Sequence, residues 1–282
     1  MPELPEVETI RRGLNNFLIG RCITKVNVDC EKSFIGAPDK IIGKKVIELK
    51  RRGKALLICL SDDTWLMIHL RMTGQLIYVG KEKFAAGHPD TGFTEKMPGK
   101  HTRVTFAFDD GSRLYFNDQR KFGFVKAVDS SGLEADKFLA KLGPEPWDLT
   151  PDTFYERLQR RKGTTIKAAI LDQSVIAGVG NIYADEGLFY ARIYPGRKVA
   201  DVAETEARKL LEGICKVMDD SIDSGGSTMK DYVRADGTKG NYLEKFAKVF
   251  RREGQPCPEC GGVIKKNRVA GRGTHYCPEC QK

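Results

Sequence analysis

The sequence lacks any long apolar run, and this absence excludes a class of protein. A membrane-spanning helix needs about 20 consecutive apolar residues, and no stretch of the 282 residues approaches that length. The first residues, MPELPE, also lack the basic start and apolar run of a secretory signal. Internal repeats and low-complexity tracts are missing as well. We therefore expect a globular cytoplasmic protein with no membrane partner.

Disulfides are not expected either, although the chain contains eight cysteines. Four of these cysteines crowd into the C-terminal end of the chain, and the other four are scattered singly. A reducing compartment keeps isolated thiols free, and clustered cysteines there are typical of metal sites. The sequence thus predicts one metal site and four ordinary thiols, which are Cys22, Cys30, Cys59 and Cys215.

Acidic residues are outnumbered. Lysine and arginine total 47 against 38 aspartates and glutamates, which gives a net charge of +9 and a pI near 9.1. Such a balance favours a polyanionic partner, although an ordinary basic protein without such a partner would have the same charge. The hydrophobic content of 40% is enough for one large core or two modest ones.

The hydrophobic pattern changes along the chain and indicates an α+β protein of several domains. Apolar residues from Leu4 to Leu18 recur at helical spacing, with Gly20 as a C-terminal cap. Segments rich in β-branched and aromatic residues follow, separated by turns such as DDGS at 109–112, and predict a β-sandwich or barrel. Helical periodicity then takes over. We predict domains at 1–132 (β-rich), 133–225 (helical) and 226–282 (a glycine-rich loop followed by a cysteine module).

Two C-x-x-C pairs carry the clearest metal signal. The pairs are separated by residues 261–276, a spacing typical of a zinc ribbon with four thiolate ligands. The alternative, two redox-active pairs, is disfavoured because neither pair lies in a strand–helix context. The intervening segment predicts a basic β-hairpin with Arg272 near its tip. One structural zinc ion is therefore expected on Cys257, Cys260, Cys277 and Cys280.

The segment 164–189 predicts a helix, a glycine-rich turn and a second helix capped by Asn181. Free backbone N–H groups at the start of such a helix suit a phosphate group. A plain helix cap with no ligand is the alternative interpretation. The nearby Lys167 favours DNA.

Seven motifs, in order along the whole chain, resemble one family. The set is similar to that of the bacterial formamidopyrimidine-DNA glycosylases, which excise oxidised purines from duplex DNA. The related endonuclease VIII type, which prefers oxidised pyrimidines, typically has glycine at the position of Leu4 and fits NDQRKFGF less well. The motifs are PELPEVET, RRGKALL, HLRMTG, NDQRKFGF, LGPEP, GVGNIYADE and GRGTHYCPECQ.

The resemblance implies the fold and the reacting residues. The fold would be an N-terminal β-sandwich with a leading helix, a helix-two-turns-helix domain and a zinc-ribbon hairpin. After removal of Met1, Pro2 would be the nucleophile and Glu3 the general acid/base. An α-amino group titrates near ~8, well below ~10.4 for lysine, so more of it is neutral and reactive at neutral pH. Glu6 would be a supporting carboxylate, or simply an acid that favours the helix dipole.

The resemblance also implies roles for other residues. Lys54 would contact phosphate and assist β-elimination, and Arg272 would serve the final elimination. The partner would be double-stranded DNA with an oxidised purine, bound by a monomer associated with the bacterial nucleoid. Residues that would fill the space left by the everted base are Met72, Arg120 and Phe122, although methionine and phenylalanine are common core residues. Phosphate contacts would be His101, Lys167 and Asn181; the loop closing over the base would include Thr228 and Tyr242.

A protein of another class would share part of this pattern. A non-catalytic zinc-ribbon DNA-binding protein would have the same basic charge, helical turn and finger. It would have no use for a proline amine beside Glu3 at the N-terminus, so the PELPE motif favours the enzyme.

Overall fold

The computed structural model describes residues 1–87, 96–226 and 246–282. The chain divides into two compact units. The first unit comprises Met1–Ala140 and Ser224–Asn241, and the second comprises Lys141–Asp223 and Tyr242–Lys282. The second unit therefore contains both the helical segment and the cysteine hairpin. The three-part division drawn from the sequence stays a prediction.

The first unit begins with helix α1, Leu4–Leu18. Pro5 lies in the first turn, where a missing N–H costs nothing, and Gly20 adopts a φ of 84° just beyond the C-cap residue Ile19. The predicted bounds and cap of this helix are confirmed. Its apolar face enters the core of the unit through Val7, Ile10, Leu14 and Leu18.

Within the described residues of the first unit, ten strands form two five-stranded sheets. The first sheet has the order β1-β8-β9-β6-β7 and the second β2-β10-β5-β4-β3, with a single parallel pair, β10 and β2. Apolar side chains from both sheets form one core, which confirms the predicted sandwich. The strands are β1 Ile23–Val28, β2 Phe34–Ile35, β3 Val46–Arg52, β4 Ala55–Leu60, β5 Thr64–His69, β6 Gly74–Val79, β7 Lys83–Gly87, β8 Thr102–Phe108, β9 Arg113–Asp118 and β10 Phe124–Asp129.

Two short helices of the first unit, α2 (Ser130–Glu134) and α3 (Lys137–Ala140), follow the last strand of the sandwich. The second unit is helical and ends in a two-stranded hairpin. The second unit then contains α4 Pro151–Gln159, α5 Ile166–Leu171, α6 Asn181–Tyr190, α7 Glu204–Asp223, β11 Lys265–Val269 and β12 Arg272–Tyr276.

Helices α6 and α7 approach each other closely. A Cβ atom at Gly187 would lie 2.8 Å from the side chain of Ile214, so only glycine fits between them. Nearby, the hydroxyl groups of Tyr183 and Ser221 are hydrogen-bonded at 2.6 Å inside the unit. Across all the described ranges, no helix combines the length and the apolarity that crossing a membrane would require.

Candidate active site and nucleic-acid interface

The N-terminus of α1 presents buried acidic groups. Pro2 is buried, and Glu3 and Glu6 are only 3% and 2% exposed. The Glu3 N–H donates to Glu6 Oε2 at 2.7 Å, which fixes the first turn of the helix around Glu3. Two carboxyl groups and the residue proposed as nucleophile therefore share one turn of chain. Met1, which precedes them, is 44% exposed.

Gly226, the residue before the predicted lesion loop, lies against this turn. A Cβ atom at Gly226 would lie 3.6 Å from Glu6 Cα and 3.5 Å from Thr9 Oγ1. Thr228 and Tyr242, the two loop residues singled out in the sequence, lie outside the described residues.

Lys54 lies in the tight turn that joins β3 to β4. The turn consists of Gly53, which has a φ of 54°, and Lys54, between the paired residues Arg52 and Ala55. Lys54 is only 7% exposed. The Arg51 guanidinium donates to the Gly53 carbonyl at 3.2 Å, so the strand before the turn holds its backbone in place.

Glu8 connects this turn to α1. Its carboxylate accepts hydrogen bonds from Arg11 at 2.7 Å, Arg12 at 2.9 Å and Arg51 at 3.2 Å. Burial tends to raise the pKa of Glu8, but the hydrogen bonds from Arg11 and Arg12 and the charges of Arg11 and Arg51 outweigh it and lower the pKa to about 2. The charged carboxylate therefore fixes β3, and with it the Lys54 turn, against the helix that carries Glu3.

His69 ends β5 and is uncharged. Its Nδ1 accepts a hydrogen bond from the Arg71 N–H at 3.1 Å, and the side chain packs against Phe124 and Phe138. Burial, followed by the charges of Arg71 and Lys54, lowers the pKa of His69 to about 3. At neutral pH, Lys54 therefore supplies positive charge beside a neutral imidazole.

The proposed space-filling residues lie on two loops. Met72 is half-buried in the loop 70–73, and Arg120 and Phe122 are exposed in the loop 119–123. The Phe122 ring is 56% exposed, which excludes a core role for it. The Arg120 guanidinium lies 4.9 Å from the centroid of that ring. The two exposed side chains are therefore stacked on each other.

His101 precedes β8 in the same unit. Its carbonyl accepts from the Asp118 N–H at 2.9 Å, and its ring is half-buried near Arg103. The structure therefore brings His101 to the end of β9, next to the loop that carries Arg120.

In the second unit, the turn between α5 and α6 is held by Gln173. Its side-chain amide donates to the Val179 carbonyl at 2.8 Å and accepts from the Gly178 N–H at 2.9 Å. The N-cap of α6 is Gly180, so the prediction that Asn181 caps this helix is wrong. Asn181 is the first helical residue, and its Nδ2 donates to the Gly273 carbonyl in the hairpin at 2.9 Å. A glycine cap leaves the first backbone N–H groups of α6 unused by a cap side chain.

Lys167 requires a correction. Its ammonium has no exposed surface and donates to Asp185 at 2.6 Å and to Thr274 Oγ1 at 2.8 Å. A buried ammonium that is already bonded cannot also contact a DNA phosphate from this position, so the predicted direct contact is wrong. The residue instead joins α5 to α6 and to strand β12.

Two adjacent acids of α6 were not singled out in the sequence. Asp185 accepts from the His275 N–H at 2.9 Å in addition to Lys167. Glu186 is fully buried and accepts from the backbone N–H groups of Lys248, Val249 and Phe250, while burial raises its pKa. The available signal was the pair of carboxylates inside an otherwise apolar helix, NIYADEGLFY.

The hairpin β11–β12 carries Arg272 and a cysteine cluster. Ala270 and Gly271, at φ 51° and 72°, form its two-residue turn, and Arg272 is exposed directly after it. The four Sγ atoms of Cys257, Cys260, Cys277 and Cys280 all lie within 4.8 Å of one another, including pairs at 3.5 and 3.9 Å.

These sulfur separations fit zinc. Tetrahedral zinc with Zn–S bonds of about 2.3 Å places neighbouring sulfurs about 3.8 Å apart. A disulfide would require about 2.05 Å instead. The cluster therefore holds one structural zinc ion, and the predicted ligand set is confirmed.

Three family models match the chain in sequence. They are the formamidopyrimidine-DNA glycosylase N-terminal domain over residues 1–125, the H2TH domain of the same enzymes over residues 142–233, and a zinc finger found in FPG and IleRS over residues 254–282. Formamidopyrimidine-DNA glycosylases from Heliobacterium modesticaldum and Pelotomaculum thermopropionicum are each 42% identical, over all of this chain and 100% and 99% of theirs.

Solved structures match over nearly the whole chain. A Lactococcus lactis FPG mutant in complex with Fapy-dG-containing DNA has a TM-score of 0.87 at 31% identity, covering 100% of both chains. The Thermus thermophilus MutM (FPG) protein has a TM-score of 0.83 at 37% identity, covering 99% of this chain and 98% of that one. By sequence and by structure, the chain belongs to the formamidopyrimidine-DNA glycosylase family, the DNA glycosylases of base excision repair.

Proposed function

We propose that this DNA glycosylase removes oxidised purines, 8-oxoguanine and formamidopyrimidines, from duplex DNA and then cleaves the strand as an abasic-site lyase. The observation that supports it most directly is the buried first turn of α1, where Pro2 and Glu3 precede Glu6. Lactococcus lactis FPG proteins have been solved with DNA containing Fapy-dG and with DNA containing an abasic site. Both ligands correspond to stages of the proposed reaction.

The nucleophile is the amine of Pro2 after removal of Met1. Its nitrogen attacks C1′ of the damaged nucleotide, the bond from C1′ to the base breaks, and the base leaves with the proton that the amine loses. The bond from C1′ to O4′ then breaks as O4′ takes a proton from Glu3, which opens the sugar ring. Because proline is a secondary amine, the product is a cationic iminium that cannot lose a proton to become a neutral imine. This cation withdraws electrons from C2′ and prepares the sugar for elimination.

Glu3 supplies and accepts the protons. Its carboxyl group is buried at the head of the helix, next to the amine of Pro2, and serves as the acid for sugar-ring opening. Glu6 fixes Glu3 through the 2.7 Å hydrogen bond to the Glu3 N–H. Its role is therefore to hold the backbone of the acid in place.

The elimination steps use two basic residues. Loss of a C2′ proton expels the 3′ phosphate, and Lys54, held in the β3–β4 turn, neutralises the phosphate beside the reacting sugar. A second elimination then expels the 5′ phosphate, for which Arg272 on the hairpin is the assigned residue. A gap with phosphates at both ends remains.

DNA is held and opened by the other predicted residues. Met72, Arg120 and Phe122 fill the space left by the everted base, an arrangement that offsets an unstacking cost of a few kcal/mol. His101, Asn181 and the N-terminal end of α6 contact phosphates. The loop with Thr228 and Tyr242 closes over the damaged base.

Borohydride trapping tests the reaction directly. Reduction of the iminium should give a stable protein–DNA adduct with an 8-oxoguanine duplex and none with undamaged duplex, and peptide mapping should place the DNA on Pro2. A variant that retains Met1 should give no adduct yet still bind DNA. Glu3→Gln should lose base removal while retaining strand cleavage at a pre-formed abasic site.

Three results would contradict parts of the proposal. An adduct on Lys54 would show that Lys54, and not Pro2, is the nucleophile. Efficient trapping with oxidised pyrimidines but not with 8-oxoguanine would assign the other substrate class. The absence of an adduct with every damaged duplex tested would favour a protein that binds DNA without catalysis.

A further inference from the structure

The two loops with the proposed space-filling residues are neighbours because of strand register. Loop 70–73 leads from β5 in the second sheet to β6 in the first, and loop 119–123 leads from β9 back to β10. Gly74 pairs with Asp118, and Phe124 pairs with His69. Both connections between the sheets therefore lie side by side at one end of the sandwich.

A single buried carboxylate bonds to both loops. Asp118 has no exposed surface, and its Oδ1 accepts from the Thr73 hydroxyl of the first loop and from the Arg120 N–H of the second at 3.1 Å. Its Oδ2 accepts from the Gly123 N–H at 2.7 Å. The Arg120 N–H also donates to Thr73 Oγ1 at 3.0 Å. The Asp118 side chain thus bonds to Arg120 itself and to the residues that follow Met72 and Phe122 in the chain.

Both loops also hold a strained residue. Arg71 and Lys121 have φ values of 50° and 57°, in the left-handed region that residues with a Cβ atom rarely adopt. Gly123 leaves room for the close approach, since a Cβ there would lie 2.9 Å from the His69 carbonyl oxygen. Such conformations persist where surrounding bonds over-determine them, and in each loop the residue two positions further on, Thr73 or Gly123, bonds to Asp118.

We propose that Asp118 is a positioning residue that locks the two loops into one wedge, so that Met72, Arg120 and Phe122 enter the DNA together. This inference rests on the proposed function, because it assigns Asp118 to the base-eversion step of that reaction. Loss of the lock leaves the three side chains on separate loops. Base eversion and discrimination of the opposite base should then weaken, while chemistry at an already abasic sugar, which needs no base to leave the stack, should change little.

The matched pair Thr73→Val and Thr73→Ser tests the lock. Valine keeps the shape of threonine but removes the hydroxyl that joins the loops, whereas serine keeps the hydroxyl. Under single-turnover conditions, Thr73→Val should slow excision of 8-oxoguanine opposite cytosine at least ~10-fold and strand cleavage at a pre-formed abasic site less than ~3-fold. Any difference that the unaltered protein shows between cytosine and adenine opposite the lesion should become smaller. Thr73→Ser should stay close to the unaltered protein in all three measurements.

A fluorescent base reports the wedge itself. With 2-aminopurine beside the lesion, binding of the unaltered protein should raise fluorescence as the stack opens, and Thr73→Val should reduce that rise. Asp118→Asn should act in the same direction and more strongly. Where Asp118→Asn does not fold, the threonine pair decides.

The inference is overturned when Thr73→Val keeps the fluorescence rise and the excision rate, or when it slows both reactions equally alongside a lowered melting temperature. The second result would mean that the network serves folding alone. Failure of the proposed function would be a separate result, in which the unaltered protein excises no oxidised purine. The 2-aminopurine measurement on that protein and on Thr73→Val would still show whether opening of the stack depends on the Thr73 hydroxyl.

Discussion

Buried carboxylates organise the protein around the proposed chemistry. Glu8 gathers three guanidinium groups between α1 and β3, and Asp118 gathers a hydroxyl and two backbone N–H groups at the loops. Each lies near a residue assigned to catalysis or DNA contact without being assigned to the chemistry itself. A single carboxylate in the interior therefore determines where several neighbouring groups lie.

Replacement of Glu8 should cost stability in a pH-dependent way. Glu8→Gln leaves Arg11 and Arg51 partly buried without their counter-charge, so the free energy of unfolding at pH 7 should fall by about 2 kcal/mol. The folded pKa of about 2 lies below the ordinary value of 4.5. The stabilisation is therefore fully present above pH 4.5 and is lost as the pH falls toward 2.

Urea unfolding of both proteins at several pH values checks this prediction. The difference between them should be constant from pH 7 to pH 5 and shrink below pH 4.5. Glu48→Gln is the control, because the Glu48–Lys50 pair is 44% and 56% exposed and its removal should change the stability little. Equal effects of the two substitutions would contradict the role given to Glu8.

At the level of single residues, the sequence reveals groups whose chemistry requires a fixed spacing. The four cysteines are of this kind, since two C-x-x-C pairs have few other uses. Pro2 and Glu3 were found through the resemblance to the family. Asp118, Asp185 and Glu186 could not be assigned from sequence, because an acid in a strand or helix gives no sign of which distant N–H groups it meets. Lys167 was misplaced for the same reason, since its partner Asp185 is 18 residues away.

Among the elements, helix α6 supplies two buried carboxylates that bond to several other segments of the second unit. Its Asp185 bonds to Lys167 of α5 and to His275 of β12, and its Glu186 bonds to the segment 248–250. The hairpin with Arg272 is thus oriented by carboxylates of one helix as well as by zinc.

Replacing one partner of the Lys167–Asp185 pair should lower the stability more than replacing both partners. Lys167→Met leaves a buried carboxylate without its cation, at a cost of about 3–5 kcal/mol. The double variant Lys167→Met/Asp185→Asn removes both charges and should recover part of that loss. Thermal unfolding of the unaltered protein, Lys167→Met, Asp185→Asn and the double variant measures the coupling. A double variant whose loss equals the sum of the single losses would show that the pair does not interact.

Zinc should determine whether the hairpin forms. Cys277→Ser should reduce bound zinc from one ion per chain to none and weaken DNA binding at least ~10-fold, because a metal-dependent module folds only when the metal is bound. The β-sheets of the first unit, which contain no ligand, should stay folded by circular dichroism. Cys215→Ser is the control, since this half-buried thiol of α7 lies outside the cluster. Full DNA binding by zinc-free protein would contradict the assignment.

The elements with strong local signals were predictable. Helix α1 has regular apolar spacing and a terminal glycine, and the DDGS turn has Gly111 at a φ of 82° and hydrogen bonds from Ser112 to Asp110. Strand β7, KFAAG, is not predictable from local sequence because alanine and glycine carry little β-propensity; its pairing with β6 makes it a strand. Strand β10 likewise pairs with β5, which is remote in sequence.

For the whole molecule, the excess positive charge should govern affinity for DNA. If about six phosphates are neutralised, the logarithm of the binding constant should fall with the logarithm of salt concentration at a slope of about −5. Fluorescence anisotropy with a labelled duplex between about 50 and 200 mM salt measures the slope. Lys167→Met should leave that slope unchanged even where affinity falls, because its ammonium is buried. A slope flatter by about one would return Lys167 to the phosphate contacts.

The two crossover loops have a consequence for the entropy of binding. Ordering a residue of free chain costs about 1–2 kcal/mol, so disordered loops at 70–73 and 119–123 would impose a penalty of roughly 9–18 kcal/mol each time DNA bound. Here the loops are already ordered through Asp118, Thr73 and Gly123. The ordering cost falls on folding, once in the life of each molecule, and not on every encounter with an undamaged base pair during a search along the genome.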